Sequence, residues 1–165
     1  MAPKERKYDP AETLARIRAW CDLRERAQQE VRDKLYDWGL HREEVESCIA
    51  ELVTDNYLNE ERFARAYVSG KFRIKKWGRV KILNGLHQKR VSGHCVQLGL
   101  EEIDPDDYVK TIRALIDKKV GLIKAASDYE QRQKLAGYLA RKGYETDIVW
   151  DQIDAYFKPD NLSAN

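Results

Sequence analysis

VRDKLYDWGLHREEVESCIAEL, residues 31–52, is the stretch on which the fold depends. Val31, Leu35, Val45 and Ile49 are its apolar landmarks, and Gly39 stands one turn after Leu35. That is the pattern of a helix closed by a glycine and followed at once by a second helix. The pattern returns without a gap in ILNGLHQKRVSGHCVQLGLEEI at 82–103 and LAGYLARKGYETDIVWDQIDAY at 135–156. Leu35, Leu86 and Leu139 superpose. Val31, Ile82 and Leu135 precede them by a turn; Val45, Val96 and Val149 follow, and then Ile49, Leu100 and Ile153. A self-similarity of this length implies one three-helix unit in three copies, each covering an apolar face of the next.

Working outward, helix starts recur where the units require them. Asp9-Pro10-Ala11-Glu12 and Asp104-Pro105 pair an N-cap with a proline in the first turn. Asn59 precedes Glu60 and Glu61, acids that favour the positive helix end, and Ser127 with Glu130 reads as a capping box. The first helices of the units are expected over 10–27, 59–76 and 105–124. Alternating strands are absent, so the chain reads as all-α, with about nine helices in three tandem units: 10–56, 57–103 and 104–158. Residues 1–9 and 159–165 are expected to be flexible. Arg90 stands where the other copies have Gly39 and Gly143. A left-handed cap is costly for Arg, so the middle helix is expected to end differently, near Gly93.

A chain of 165 residues with 42% apolar content suits one compact domain or a short row of repeats. No run is long and apolar enough to span a bilayer, and MAPKERKYDP lacks the apolar centre of a signal peptide. The reading is a cytoplasmic monomer with no membrane contact. Cys21, Cys48 and Cys95 are widely spaced and read as buried thiols. His41, His87 and His94 have no ligand partners at convincing spacing, so no metal is expected. No nucleophile elbow, phosphate loop or zinc-protease motif occurs, which gives no grounds for an enzyme or a cofactor.

The formal net charge of +2 conceals a partition. Residues 62–100 carry ten Lys or Arg and no Asp or Glu: Arg62, Arg65, Lys71, Arg73, Lys75, Lys76, Arg79, Lys81, Lys89 and Arg90. Half of these fall in FRIKKWGRVK at 72–81. On a helical wheel Phe63, Tyr67, Gly70, Ile74 and Trp77 share an apolar face, and Arg62, Arg65, Ser69, Arg73 and Lys76 form a basic stripe away from it. At about 1.5 Å per residue the expected helix would run roughly 27 Å, enough to follow several phosphates. Trp77 beside Gly78 suits either a packed indole or a base-stacking one, and its place on the apolar face favours packing; Trp20, Trp38 and Trp150 also read as packing residues.

The run ELVTDNYLNEERFARAYVSGKFRIKKWGRVKILNGLHQKR at 51–90 resembles the signature of the RecX regulatory family. The resemblance rests on Tyr57-Leu58, Phe63-Ala64, Tyr67-Val68, the basic stretch, Gly78, and the helix through Ile82 and Leu86; KLYDWG at 34–39 and YLARKGY at 138–144 match the family's repeated helix ends. Asn59 replaces the family's usual Asp, and Arg90 its usual glycine. The resemblance implies an elongated, curved array of three-helix repeats. It also implies a modulator of the RecA recombinase that lodges in the groove of the RecA–DNA filament. Such a protein depresses ATPase, strand-exchange and co-protease activities in DNA repair, homologous recombination and the SOS response. The ten basic residues would be its contact to the filament, by way of single- or double-stranded DNA or of acidic RecA surfaces. Two alternatives stay open: an autonomous helical nucleic-acid-binding module, and a scaffold whose stripe meets an acidic protein.

Overall fold

The computed structural model of the chain describes residue 2 and residues 4–158. Among these residues there are nine helices and no strand. They are α1 (Pro10–Asp22), α2 (Gln28–Asp37), α3 (Arg42–Thr54), α4 (Glu60–Arg73), α5 (Arg79–Gln88), α6 (Gly93–Leu100), α7 (Pro105–Val120), α8 (Asp128–Arg141) and α9 (Thr146–Tyr156). Side-chain caps fix several starts. Asp9 accepts the Glu12 N–H, Asn59 the Arg62 N–H, Asp104 two first-turn N–H groups, and Ser127 the Glu130 N–H. The Ser127–Glu130 box is not reciprocal: the Glu130 carboxylate takes the Ala126 N–H instead.

The three repeat signatures end in one and the same cap. Leu40 N–H donates to Leu35 O, Val91 to Leu86 O and Tyr144 to Leu139 O, while the residue before each closes the inner bond to Tyr36, His87 and Ala140. That inner residue is left-handed every time: Gly39 at φ 83°, Arg90 at 55° and Gly143 at 94°. The expectation that Arg90 would force a different ending is therefore overturned. Two cap bonds and the buried anchors Leu40, Val91 and Tyr144 outweigh the strain of a side chain at that position. Gly93 does not end α5; it is the first residue of α6.

The first helices are shorter than expected. Lys76, itself left-handed at φ 58°, ends α4 by donating to Phe72 O, and Trp77 donates to Lys71 O. Trp77 consequently lies outside the helix, and the wheel built on it was turned too far. The buried face of α4 is Phe63, Ala64, Val68 and Phe72, whereas Ile74 is 78% exposed. The thiols also differ from expectation, since only Cys21 is fully buried, where burial pushes it up to about 11.

The chain divides into two compact units that cut across the middle repeat. One takes the chain through Val68 together with Gly85–Glu101; the other takes Ser69–Asn84 together with the chain from Glu102 onward. In the first, α2 packs on α3 and the core gathers Ile17, Val31, Leu35, Val45, Ile49 and Leu52. Residues 4–8, expected to be flexible, lie along this unit. Lys7 N–H donates to Trp38 O, Tyr8 meets Trp38 edge-on at 5.2 Å, and Arg6 pairs with Glu44. In the second, α7, α8 and α9 pack mutually around Ile112, Ile116, Leu135, Leu139, Val149 and Ile153. Residues 159–165, also expected to be flexible, lie outside the described residues.

Candidate functional site

The ten basic residues of 62–100 are divided between the two units. Arg62, Arg65, Lys89 and Arg90 belong to the first unit, and Lys71, Arg73, Lys75, Lys76, Arg79 and Lys81 to the second. The block contains no acid, yet acids from other parts of the chain answer four of its members. Arg62 Nε lies 2.5 Å from Glu25, and its guanidinium also reaches Asn56. Arg65 bridges Glu61 at 3.0 Å and Glu101 at 3.2 Å. Lys89 pairs with Glu30 at 3.1 Å. Burial alone would raise the Glu30 carboxyl, but the Ala27 N–H, Arg24 and Lys89 together hold it below the usual carboxylate range. The pairs with Glu25, Glu30 and Glu101 are not legible in the sequence because pairing over such separations is a tertiary fact, whereas Arg65 and Glu61 stand four residues apart on one helix.

Arg79 is built deepest into the second unit. It pairs with Glu145 at 3.0 Å, stacks 3.9 Å over the Tyr108 ring, and gives its backbone N–H to the Tyr108 hydroxyl. That hydroxyl donates in turn to Glu145. Burial first, and the Glu145 carboxylate second, push the Tyr108 phenol well above its ordinary value. Arg79 is thus a structural member of the block.

What remains for a partner on the second unit is concentrated at 73–76. Arg73, Lys75 and Lys76 are exposed and have no carboxylate within ion-pair distance among the described residues. Their backbone is held from behind. Tyr144 donates its hydroxyl to Lys76 O at 2.7 Å, Lys142 Nζ donates to Lys75 O, and the Gly78 N–H donates to Lys142 O at 2.8 Å. Arg73 and Lys76 open onto a cleft of about 520 Å³, lined also by Glu102 and, on α7, by Asp107, Lys110, Leu115 and Lys118. Lys110, Ala114 and Lys118 recur every fourth residue on one helix face, a signal legible in the sequence and passed over.

Trp77 is half-buried, not a packed core indole. Lys71 Nζ lies 4.7 Å and Lys81 Nζ 4.5 Å from its ring centroid. The motif residues Leu58, Phe63, Ala64, Ile82 and Leu86 are buried, and Tyr57 and Tyr67 are half-buried. Gly78 is required by contact: a Cβ there would lie 2.3 Å from Gly143 O. No group of His, Cys, Asp and Glu among the described residues is arranged to hold a metal ion, and no helix is long and apolar enough to cross a membrane.

Fold and surface together define an all-α protein of tandem three-helix repeats with a cationic face. The model of the third three-helix domain of RecX matches residues 106–153, and that of the second matches 59–100. The chain belongs to the RecX family. It is 34% identical over 124 residues to the regulatory protein RecX of Clostridium perfringens strain 13, covering 74% of this chain and 58% of the relative. To the regulatory protein RecX of Prosthecochloris aestuarii it is 28% identical over 146 residues, covering 88% of this chain and 94% of the relative. The crystal structure of RecX from Lactobacillus salivarius has the same fold, with a TM-score of 0.76 at 20% identity, covering 88% of this chain and 97% of that one.

Proposed function

We propose that this chain modulates the RecA recombinase, binding along the RecA–DNA filament in the cytoplasm and restraining its ATPase, strand-exchange and co-protease activities. The observation that carries this reading is the cationic surface at Arg73, Lys75 and Lys76, without an ion-pair partner among the described residues and with its backbone held by hydrogen bonds, in a member of the RecX family. A rigid cationic surface suits an anionic filament, because the basic groups arrive already positioned and little ordering cost falls on binding. The protein changes the rates of RecA and has no turnover of its own.

Co-sedimentation with preformed RecA filaments tests the reading. Wild-type protein pellets with the filament and slows its nucleotide hydrolysis. An Arg73→Gln, Lys75→Gln, Lys76→Gln variant keeps its fold by circular dichroism and binds weakly at low salt, with a shallower salt dependence. Wild-type behaviour of that variant, or nucleotide hydrolysis by the protein without RecA, contradicts the proposal.

A further inference from the structure

The first and third repeat signatures differ where their helix pairs meet water. In the first, Arg32 on α2 bridges Glu46 on α3 at 2.7 Å, and Asp33 accepts from Gln29 at 2.7 Å. With Leu35 laid over Leu139, the positions of Arg32, Asp33 and Glu46 are held in the third signature by Ala136, Gly137 and Trp150. A charge-paired seal is thus replaced by two small residues and an indole. Ala136, Gly137 and Trp150 are half-buried, and Ala140 is exposed. Together they line a furrow of about 250 Å³ between α8 and α9.

An open groove of about 620 Å³ follows the other flank of α8, lined by Leu122 and Ile123 of the α7–α8 connection and by Tyr138 and Arg141. Gln133 and Gly137 belong to both hollows. A Cβ on Gly137 would meet only the tip of Arg141, at 3.3 Å, so the ridge of α8 dips there to a saddle. The connection leading into α8 leaves Leu122 72% exposed, and Tyr129 in the first turn is 73% exposed. Apolar side chains grouped in this way mark a surface that another protein covers. The rim is cationic. Lys119, Lys124 and Arg141 have no carboxylate within ion-pair distance among the described residues, and Glu130, the acid of the groove, is taken by Lys134 at 2.9 Å.

We propose that this face of α8 docks a helical segment of another protein, apolar along one stripe and acidic on its flanks. The segment crosses α8 at Gly137, where the absent side chain lets two helices approach closely. Its apolar side chains enter the furrow beside Trp150 and the groove beside Leu122 and Tyr138. Its carboxylates meet Lys119, Lys124 and Arg141 at the rim. A helix suits the site because side chains three and four residues apart share one face; an extended segment would need a free sheet edge, and α8 spends its backbone groups within itself. A nucleic acid satisfies the cations but leaves the aliphatic Leu122 and the Trp150 furrow without a role. The site uses other residues than Arg73, Lys75 and Lys76, and it goes beyond the RecA reading: apolar contact selects the partner first, and charge second.

The test is a two-dimensional amide NMR spectrum of the full chain, titrated with a synthetic helical peptide of about 15 residues, roughly four turns. The peptide carries Leu at every third or fourth position and Glu beside them. We expect saturable shifts at the amides of 122–124 and 133–141 and at the Trp150 indole N–H. The same peptide with Ser for Leu, the same peptide with Lys for Glu, and an oligothymidine should leave the Trp150 indole unmoved. Gly137→Leu places a side chain in the saddle, at a helical position open enough to accept it, and should weaken binding about tenfold, the effect of losing one interface anchor. Leu122→Ser, on the exposed connection, should weaken it as well, and circular dichroism confirms that both variants fold. No saturable shift, a control ligand that moves the Trp150 indole as far, or wild-type affinity in both variants overturns the proposal. Co-sedimentation with RecA filaments reads the regulator function separately, so either result stands without the other.

Discussion

Gly78 and Gly143 touch backbone to backbone. A Cβ on Gly78 would lie 2.3 Å from the Gly143 carbonyl oxygen, and one on Gly143 would lie 2.3 Å from Lys81 Cβ. The Gly78 N–H donates to Lys142 O and the Val80 N–H to Gly143 O, so the contact joins the second and third repeat signatures inside one unit. The three atoms nearest a Cβ on Gly78 are all main chain, from Gly143 and Tyr144, and main chain has little room to yield. Gly78→Ala should therefore cost about 1–3 kcal/mol or more, the range for overpacking a tight site. Thermal melting reads the loss, and an unchanged melting temperature would show that the contact is loose.

Arg90 invites the opposite change. Its left-handed backbone carries a side chain where Gly39 and Gly143 carry none. Arg90→Gly relieves a strain of about 1–2 kcal/mol and returns part of it as extra freedom in the unfolded chain. A net gain of about 0.5–1 kcal/mol is expected in chemical denaturation, with the slope unchanged. A loss would mean that the Arg90 side chain supports the fold.

Leu86 is the middle member of the aligned leucines, and like Leu35 and Leu139 it is 0% exposed. Leu86→Ala should cost about 2–5 kcal/mol. The same substitution at Leu35 or Leu139 should fall in the same range, because the three occupy one position in one motif. A cost below 1 kcal/mol at any of them, measured by denaturant melts, would break the equivalence.

Arg79 and Arg73 lie six residues apart and should behave differently. Arg79→Gln removes the partner of a half-buried Glu145 and the cation over Tyr108, so it should destabilise by about 1–3 kcal/mol. Arg73→Gln, at an exposed position with no acid beside it, should stay within about 0.5 kcal/mol. Filament binding should follow the reverse order once each variant's folded fraction is taken into account.

Acid should undermine the first unit through Glu30. Its carboxyl is lowered in the folded protein by the Ala27 N–H, Arg24 and Lys89, against the effect of burial. A depressed value contributes stability above the unfolded carboxyl's ordinary pKa, about 4.3, and the contribution is lost as pH falls through the folded value. Glu30→Gln should therefore melt lower than wild type at pH 7 and converge with it at pH 3. Parallel melting curves across that window would remove Glu30 from the acid response.

The sequence by itself determined the all-α class, the three copies and their landmarks, because a repeated apolar spacing and a repeated helix end are local patterns. Leu35, Leu86 and Leu139 were buried wherever their helices packed, and Asp9, Asn59 and Asp104 cap by reaching only a few residues along the chain. Tertiary structure decided the rest. Which of the ten bases are spent at home depended on Glu25, Glu30, Glu101 and Glu145, which folding alone brings to them. The end of α4 depended on a left-handed Lys76 whose carbonyl is held by Tyr144, a residue 68 positions along the chain. Composition counts charges along the chain, but the free energy of a charge depends on its neighbours in space.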